Sequence, residues 1–437
     1  MAVRLPDIAE KIIEKLSLGG HSALAYGCCV RDTLTGKTAS VIDIATNASQ
    51  LGITKRFGNC RIPHGLKDTV IVTIGSETAK IIIVNAKDEE ELAKKIKERF
   101  DSFMFTADTL ISGLTEFYDD HGAEEHIRLK TLKTAGDPLK CCTERPETIL
   151  RALAYMSKYA LYPCKELSDA ILEKKSLVKT VPREEAFALF NEILTGDNAG
   201  DTIRRYVDVI AEFIPQIKDC IGFEQKSKYH CFDVFEHTLK AIDSSSNDLI
   251  VRTALLFHDI GKPYTYTFDG QSGHFHGHNK KSADIARSFL HFMNADAYTV
   301  KLISTLVYVH DIKSSPTQQN AEKMIARYGL TNAKRLLEIQ RADILAHHPD
   351  YTNTSSVDKL EQFMDKAISE NKCVSVKQLA VSGTELNKTL KINASEVGLI
   401  LRELLYAVID GETSNDRDDL MRYAEKIISR KNSDAEE

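Results

Sequence analysis

Four side chains in the middle of the sequence have the types and spacing for metal chemistry. His237 sits in Asp233-Val234-Phe235-Glu236-His237, where Asp233 followed three places later by Glu236 reads as a capping box. That start puts His237 one turn into a helix, on the side of Val234 and Ala241. After a polar break at Ser244-Ser245-Ser246-Asn247, a second helix ends in Phe257-His258-Asp259-Ile260-Gly261-Lys262-Pro263, with Gly261 and Pro263 as the stop. Ile250, Ala254 and Phe257 place His258 on its apolar side. Downstream, Leu336, Ile339 and Asp343 share one helical face, so a carboxylate stands on a stripe that should be hydrophobic. A buried ionised acid costs several kcal/mol unless something cationic meets it. Two imidazoles and two carboxylates aimed inward suit a divalent cation. The alternative makes each histidine a satisfied core residue and pairs Asp343 with Arg341 or Arg335. It serves for one residue alone and poorly for the set, because several buried ionisable groups in one domain mark chemistry more often than packing.

The elements that must hold these residues occupy a chain of 437 residues, enough for two to four domains. A hydrophobic content of 43% with no apolar run of spanning length predicts a soluble protein with no membrane partner. The opening Ile8-Ala9-Glu10-Lys11-Ile12-Ile13-Glu14-Lys15-Leu16 is an amphipathic helix carrying acids, unlike a secretory or transit segment, so a cytoplasmic location is expected. Nine cysteines without a Cys-x-x-Cys pair predict reduced thiols rather than a zinc ribbon or a disulfide framework. A net charge of -6 gives no global attraction to nucleic acid and leaves room only for a local basic face.

Ahead of the histidines the pattern differs. A short apolar strand, Ala23 to Tyr26, runs through Gly27-Cys28-Cys29 into a helix bearing Val30-Arg31-Asp32. A second strand covers Val41 to Thr46, and two more, Val70 to Ile74 and Ala79 to Val84, flank Gly75-Ser76-Glu77 as a hairpin. From Glu89 the periodicity is helical, and Pro138 to about Gly200 reads as helix throughout. Beyond His348-Pro349, Asp358 to Ala367, Ser395 to Ile409 and Asp418 to Ser429 read as tail helices, with a frayed end from Lys431.

The His, His-Asp and distant Asp pattern, here His237, His258-Asp259 and Asp343, resembles the HD superfamily of metal-dependent phosphohydrolases. The resemblance implies a divalent cation on these four residues, with nickel, cobalt, manganese and magnesium not distinguished. It implies a second ion on His278, in Gly273-His274-Phe275-His276-Gly277-His278, and on His310, which ends the apolar series Ile303, Leu306. Asp259 would then bridge, Lys262 would neutralise a nearby phosphate, and His347, one turn after Asp343, is a further candidate. His274 and His276 alternate as in a strand and read as surface groups or groups behind the ligands.

From end to end the words resemble the tRNA nucleotidyltransferase family, the CCA-adding enzymes, in the bacterial form that carries an HD domain. They include Val30-Arg31-Asp32, Asp43-Ile44-Ala45-Thr46-Asn47-Ala48, His64-Gly65, Gly136-Asp137-Pro138, Ile149-Leu150-Arg151-Ala152 and Leu379 to Leu386. The implied fold is α+β: a small mixed α/β head (1–135), then a mainly helical neck (136–205), HD body (206–350) and tail (351–437). The head of that family holds two magnesium ions on carboxylates at i and i+2 of a strand. Here Asp43 is the second of that pair and Val41 stands in place of the first. The phosphate-cradling Gly-Gly reads Gly27-Cys28, the Arg-Arg-Asp reads Arg99-Phe100-Asp101, and the asparagine after it is Phe105. Thr148 replaces an arginine three places before Arg151, and the base-reading Glu-Arg with a later Glu reads Glu184-Glu185 and Leu189. A valine cannot ligate a cation, so nucleotide addition is expected to be lost. Arg31, Asp32, Asp43, Arg99 and Asp101 would then pack, or grip a phosphate without chemistry, and Arg31 and Asp32 alternatively cap and brace their helix.

Three functions follow. The first is an HD phosphohydrolase acting on 2′,3′-cyclic phosphates, 2′-nucleotides or other small phosphoesters, including an RNA end. The second is a CCA-adding enzyme that retains magnesium in its head. The third is a non-catalytic tRNA or RNA binder using Lys174-Lys175 and Arg422, Lys426, Arg430 and Lys431, for which a solvated helix face is the plainer explanation. Oligomeric state is not legible.

Overall fold

The computed structural model describes residues 3–39, 41–99 and 104–433. Phe100, Asp101 and the end beyond residue 433 lie outside the described residues. The chain divides into two compact units, Met1–Pro215 and Gln216–Glu437.

The first unit is organised on a seven-stranded sheet of order β3-β4-β5-β2-β1-β6-β7. Its central strand is β2 (Asp43–Thr46), antiparallel to β1 (Ala23–Tyr26) and parallel to β5 (Glu77–Ile83). β4 (Thr69–Ile74) and β5 form the expected hairpin, with Gly75 at φ +63° in the turn, the left-handed conformation that glycine adopts without a Cβ clash. Three two-residue strands, β3 (Cys60–Arg61), β6 (Ile111–Ser112) and β7 (Phe117–Tyr118), extend the sheet at its edges. They are too short to leave a period in the sequence. The helix Asp7–Ser17 buries Ile8, Ala9, Ile12, Ile13 and Leu16.

The stretch 138–200 is not helical throughout. Ala160 ends the helix Glu147–Tyr159 at φ +54°, and β9 (Tyr162–Pro163) then pairs in parallel with β8 (Thr131–Leu132). The amides of Tyr162 and Cys164 donate to the carbonyls of Lys130 and Leu132.

The second unit is almost wholly helical, with one small ribbon of β10 (Thr267–Phe268) and β11 (Gly273–His274). Asp233 caps the helix Val234–Asp243 by accepting from the amide of Glu236 at 2.7 Å, and Asp248 caps Leu249–Phe257 through Ile250 and Val251. These two pack with Ala297–Val309 and Leu330–Leu345, and His278–Phe292 lies against Leu249–Phe257 and Ala297–Val309. The tail contains Ser355–Ser369, Gly383–Leu390, Ala394–Asp410 and Arg417–Ser433 around Leu386, Leu404, Leu405, Leu420 and Ala424. Of these Gly383–Leu390, capped by Ser382, was too short and too polar to be read as a helix in advance. No described helix is long and apolar enough to cross a membrane.

One glycine sets the approach of two elements. A Cβ on Gly261 would lie 2.6 Å from the carbonyl oxygen of His278 and 2.8 Å from the amide of Ser282. The bare backbone lets the turn after His258-Asp259 sit against the start of the helix His278–Phe292, where the Gly261 amide donates to Ser282 Oγ at 2.9 Å.

Candidate functional site

Each imidazole reaches a backbone carbonyl at or near a helix end. His258 and His310 follow the last helical residues Phe257 and Val309, and their Nδ1 atoms bond the carbonyls of Leu255 at 2.6 Å and Val307 at 2.7 Å. His278 begins its helix and bonds the Phe275 carbonyl at 2.9 Å, while His237 bonds Ala346 at 3.2 Å. A carbonyl only accepts, so Nδ1 carries a proton in all four, and each Nε2 is left to present a lone pair to a cation or to take up a second proton.

Those lone pairs meet two carboxylates. His237 Nε2 is 2.8 Å from Asp343 Oδ1 and 3.8 Å from Asp259 Oδ2. His258 Nε2 is 3.2 Å from Asp259 Oδ2 and 3.5 Å from Asp343 Oδ1, and this buried atom makes no hydrogen bond. On the other side of the same carboxylate, Asp259 Oδ1 faces His278 at 3.5 Å and His310 at 3.7 Å. His237, His258, Asp259 and Asp343 thus form one potential metal-binding group, and Asp259, His278 and His310 form a second sharing the Asp259 carboxylate. Lone pairs opposed at these distances repel unless a cation or proton lies between them.

The electrostatics favour positive charge there. Burial works against the charged form of His258, yet Asp259 and Asp343 outweigh it and raise this imidazole to about 10. Burial would also raise both acids, but His258 and Lys262 hold Asp259, and His237 and His258 hold Asp343, well below the carboxylate range. The donors, four imidazole nitrogens and two carboxylates brought together from several helices, fit divalent cations of the zinc, nickel, cobalt and manganese kind.

Two expectations about neighbours change. Arg335 binds Asp248, and Arg341 binds Asp358 and Glu361, so neither pairs with Asp343. Lys262 is buried, with Nζ 2.6 Å from both Asp259 Oδ2 and Gln225 Oε1. Its charge offsets Asp259 first. His347 lies 3.8 Å from Asp343, and beside it is His230, absent from the sequence reading, with ring centroids 4.7 Å apart. Burial, then Lys262 and His237, push His230 down to about 3, so it is neutral. His274 is exposed in the ribbon and pairs with Asp269. A cavity of about 490 Å³ opens onto Asp259, Lys262, His278, His310, Asp343 and His347.

Residues 228–367 match the HD domain family. The chain is 30% identical over 121 residues to the A-adding tRNA nucleotidyltransferase of Deinococcus radiodurans, covering 26% of this chain and 28% of that one. It is 21% identical over 431 residues to the CCA-adding enzyme of Bacillus mycoides, covering 96% and 98%. These likenesses make the chain similar to tRNA nucleotidyltransferases over most of its length. Several other curated relatives are matched over about half their length. The fold is that of the Bacillus stearothermophilus CCA-adding enzyme solved with CTP, with a TM-score of 0.67, 18% identity and 98% of each chain covered.

Of the head and neck residues that the nucleotidyltransferase resemblance singles out, Arg31 and Arg151 are engaged in ion pairs. Asp43 opens β2, and Cys28 Sγ lies 3.9 Å from its Oδ2 and 3.7 Å from the Val41 carbonyl, occupying the space beside the lone acid. Val41 is 47% exposed, and burial raises Asp43 above the usual carboxylate range, with Lys80 pulling the other way. Among the described residues, the only groups of three or more ligand-type side chains close enough to share a cation lie in the second unit. Gly27 has φ +75° at the start of the helix Cys28–Leu34. Arg31 is buried between the rings of Tyr155 and Tyr159, donates to Asp32 and to Asp108 at 2.5 Å, and reaches both phenol oxygens. It braces the head against the helix Glu147–Tyr159, so its guanidinium is not left to grip a phosphate. Arg99 places its charge near Tyr26. Arg151 donates to Glu185 at 2.7 Å, and Leu189 and Thr148 are buried. Of the basic candidates, Lys174 pairs with Glu173, Lys175 with Asp208 and Arg422 with Asp419.

Proposed function

We propose that this protein is a cytoplasmic, metal-dependent phosphohydrolase that cleaves nucleotide or RNA-end phosphoesters at its HD centre. The convergence of four Nε2 atoms on the two carboxylates supports this reading. His237, His258, Asp259 and Asp343 would hold one divalent cation, and Asp259, His278 and His310 a second. Such a cation, when bound, polarises a phosphoryl oxygen and acidifies a water. The chain's own contribution is positional. Backbone carbonyls fix every imidazole tautomer, Lys262 balances Asp259, and the cavity admits the ester while burial keeps bulk water from His237 and His258. Hydrolysis of bis-p-nitrophenyl phosphate or a nucleoside 2′,3′-cyclic phosphate, dependent on nickel, cobalt or manganese and abolished by Asp259→Ala, is the expected result. Inactivity with every one of these metals, or an Asp259→Ala variant as active as the parent, overturns it.

The relatives' names favour a second reading, CCA addition to tRNA with magnesium in the head, since those names describe nucleotidyl transfer and none describes a hydrolase. Truncated tRNA, CTP, ATP and magnesium decide it. Incorporation that Asp43→Ala removes establishes addition and shows the single acid to be sufficient.

A further inference from the structure

The cavity over the HD centre has a second end with a different chemistry. Tyr229 and Tyr351 stand there with ring centroids 4.9 Å apart at an interplanar angle of 74°. They are 45% and 37% exposed, and no hydrogen bond is made by either phenol oxygen among the described residues. Two backbone contacts tie the pair to the metal-binding end: the His348 amide donates to the Tyr229 carbonyl at 2.8 Å, and the Tyr351 amide donates to the His348 carbonyl at 2.8 Å. His347 spans the interval, its ring centroid 6.5 Å from Tyr229 and its Nε2 3.8 Å from Asp343. Beside it, His230 Nδ1 is buried without a hydrogen-bond partner. Lys313 lines the same cavity and forms no ion pair among the described residues.

Each part has a matching part in one kind of ligand. A phosphoester at the carboxylate end carries its sugar across His347 and His230, where a hydroxyl can satisfy the orphaned ring nitrogen. Its charge is met by Lys313. A planar heterocycle then reaches the half-exposed tyrosines, which pack edge-to-face, with Lys228 Nζ 5.1 Å over the Tyr229 ring. A ring face there stacks on any base without needing its edge pattern. The volume, about 490 Å³, falls within the range of roughly 300–1,000 Å³ typical of small-molecule sites and leaves room for one nucleotide.

We infer that Tyr229 and Tyr351 form a base-stacking subsite that makes the HD centre selective for phosphoesters bearing a nucleobase over phosphoesters of the bare sugar. This rests on the phosphohydrolase reading for its role in turnover, but the subsite itself is a binding property. Affinities of the full-length protein for AMP and for ribose 5-phosphate, measured by calorimetry in manganese, separate the two. AMP is expected to bind at least about tenfold more tightly, as stacking of one base typically provides. Tyr229→Ala/Tyr351→Ala should abolish that preference with little change for ribose 5-phosphate, and Tyr229→Phe/Tyr351→Phe should keep it. Equal affinity for the two ligands, no AMP binding, or a preference that survives the double alanine variant overturns the subsite. Failure to hydrolyse any ester while the tyrosine-dependent preference persists counts against the phosphohydrolase reading alone.

Discussion

Replacing Gly261 with alanine tests whether close backbone approach positions the second half of the candidate metal centre. The new methyl would start 2.6 Å from the His278 carbonyl oxygen and 2.8 Å from the Ser282 amide, whereas ordinary contact begins near 3.4 Å. The helix His278–Phe292 must therefore retreat by about 0.8 Å, because both obstacles are backbone and cannot rotate away. Retreat lengthens the Gly261 amide bond to Ser282 Oγ and carries His278 away from Asp259, already 3.5 Å distant. Overpacking of this kind costs about 1–3 kcal/mol. For a unit of this size that lowers the melting temperature by roughly 2–10 °C. The cost should fall on the second unit, with reduced metal per chain by elemental analysis and loss concentrated in the ion nearest His278. Differential scanning calorimetry reads the first effect directly. A Gly261→Ala protein that melts with the parent and retains its full metal content refutes the close-approach reasoning.

Arg31→Lys should destabilise the first unit by about 3–5 kcal/mol, because the lysine cannot reproduce the forked contacts to Asp32 and Asp108 and leaves buried acid uncompensated. Urea unfolding reads this, and an unchanged midpoint would show that the buried network is dispensable. Asp43→Asn should raise thermal stability at neutral pH. Burial raises the folded pKa of Asp43, so the folded state binds its proton more tightly than the unfolded chain, and stability owed to this group increases as pH falls. The gain from asparagine should accordingly shrink as pH falls into the range where the parent carboxyl takes up its proton. A gain independent of pH, or a loss at neutral pH, contradicts a solitary buried acid.

The residues of the candidate metal centre were legible where one chain segment carried the whole signal. Asp343 announced itself by breaking an apolar stripe, and His237 by following an N-cap that Asp233 does form. His230 left no such trace. It lies in the loop before Asp233, and only tertiary packing brings its ring within 5.1 Å of His237. The same holds for Gln225, whose contact with Lys262 joins residues 37 apart and redirects the lysine inward. In the head, the valine at position 41 could be read from sequence alone, but the fate of Arg31 could not, since its partners Tyr155 and Tyr159 come from a helix more than a hundred residues later. Two-residue strands were invisible because a period needs more than one repeat to be seen.

The backbone-anchored imidazoles carry a consequence for the living cell. Nitrogen-rich cages discriminate against magnesium, which prefers oxygen and parts slowly with its water. A centre of this composition would leave the commonest intracellular divalent ion largely aside. On the phosphohydrolase proposal, occupancy of the centre would then depend on the supply of transition metals.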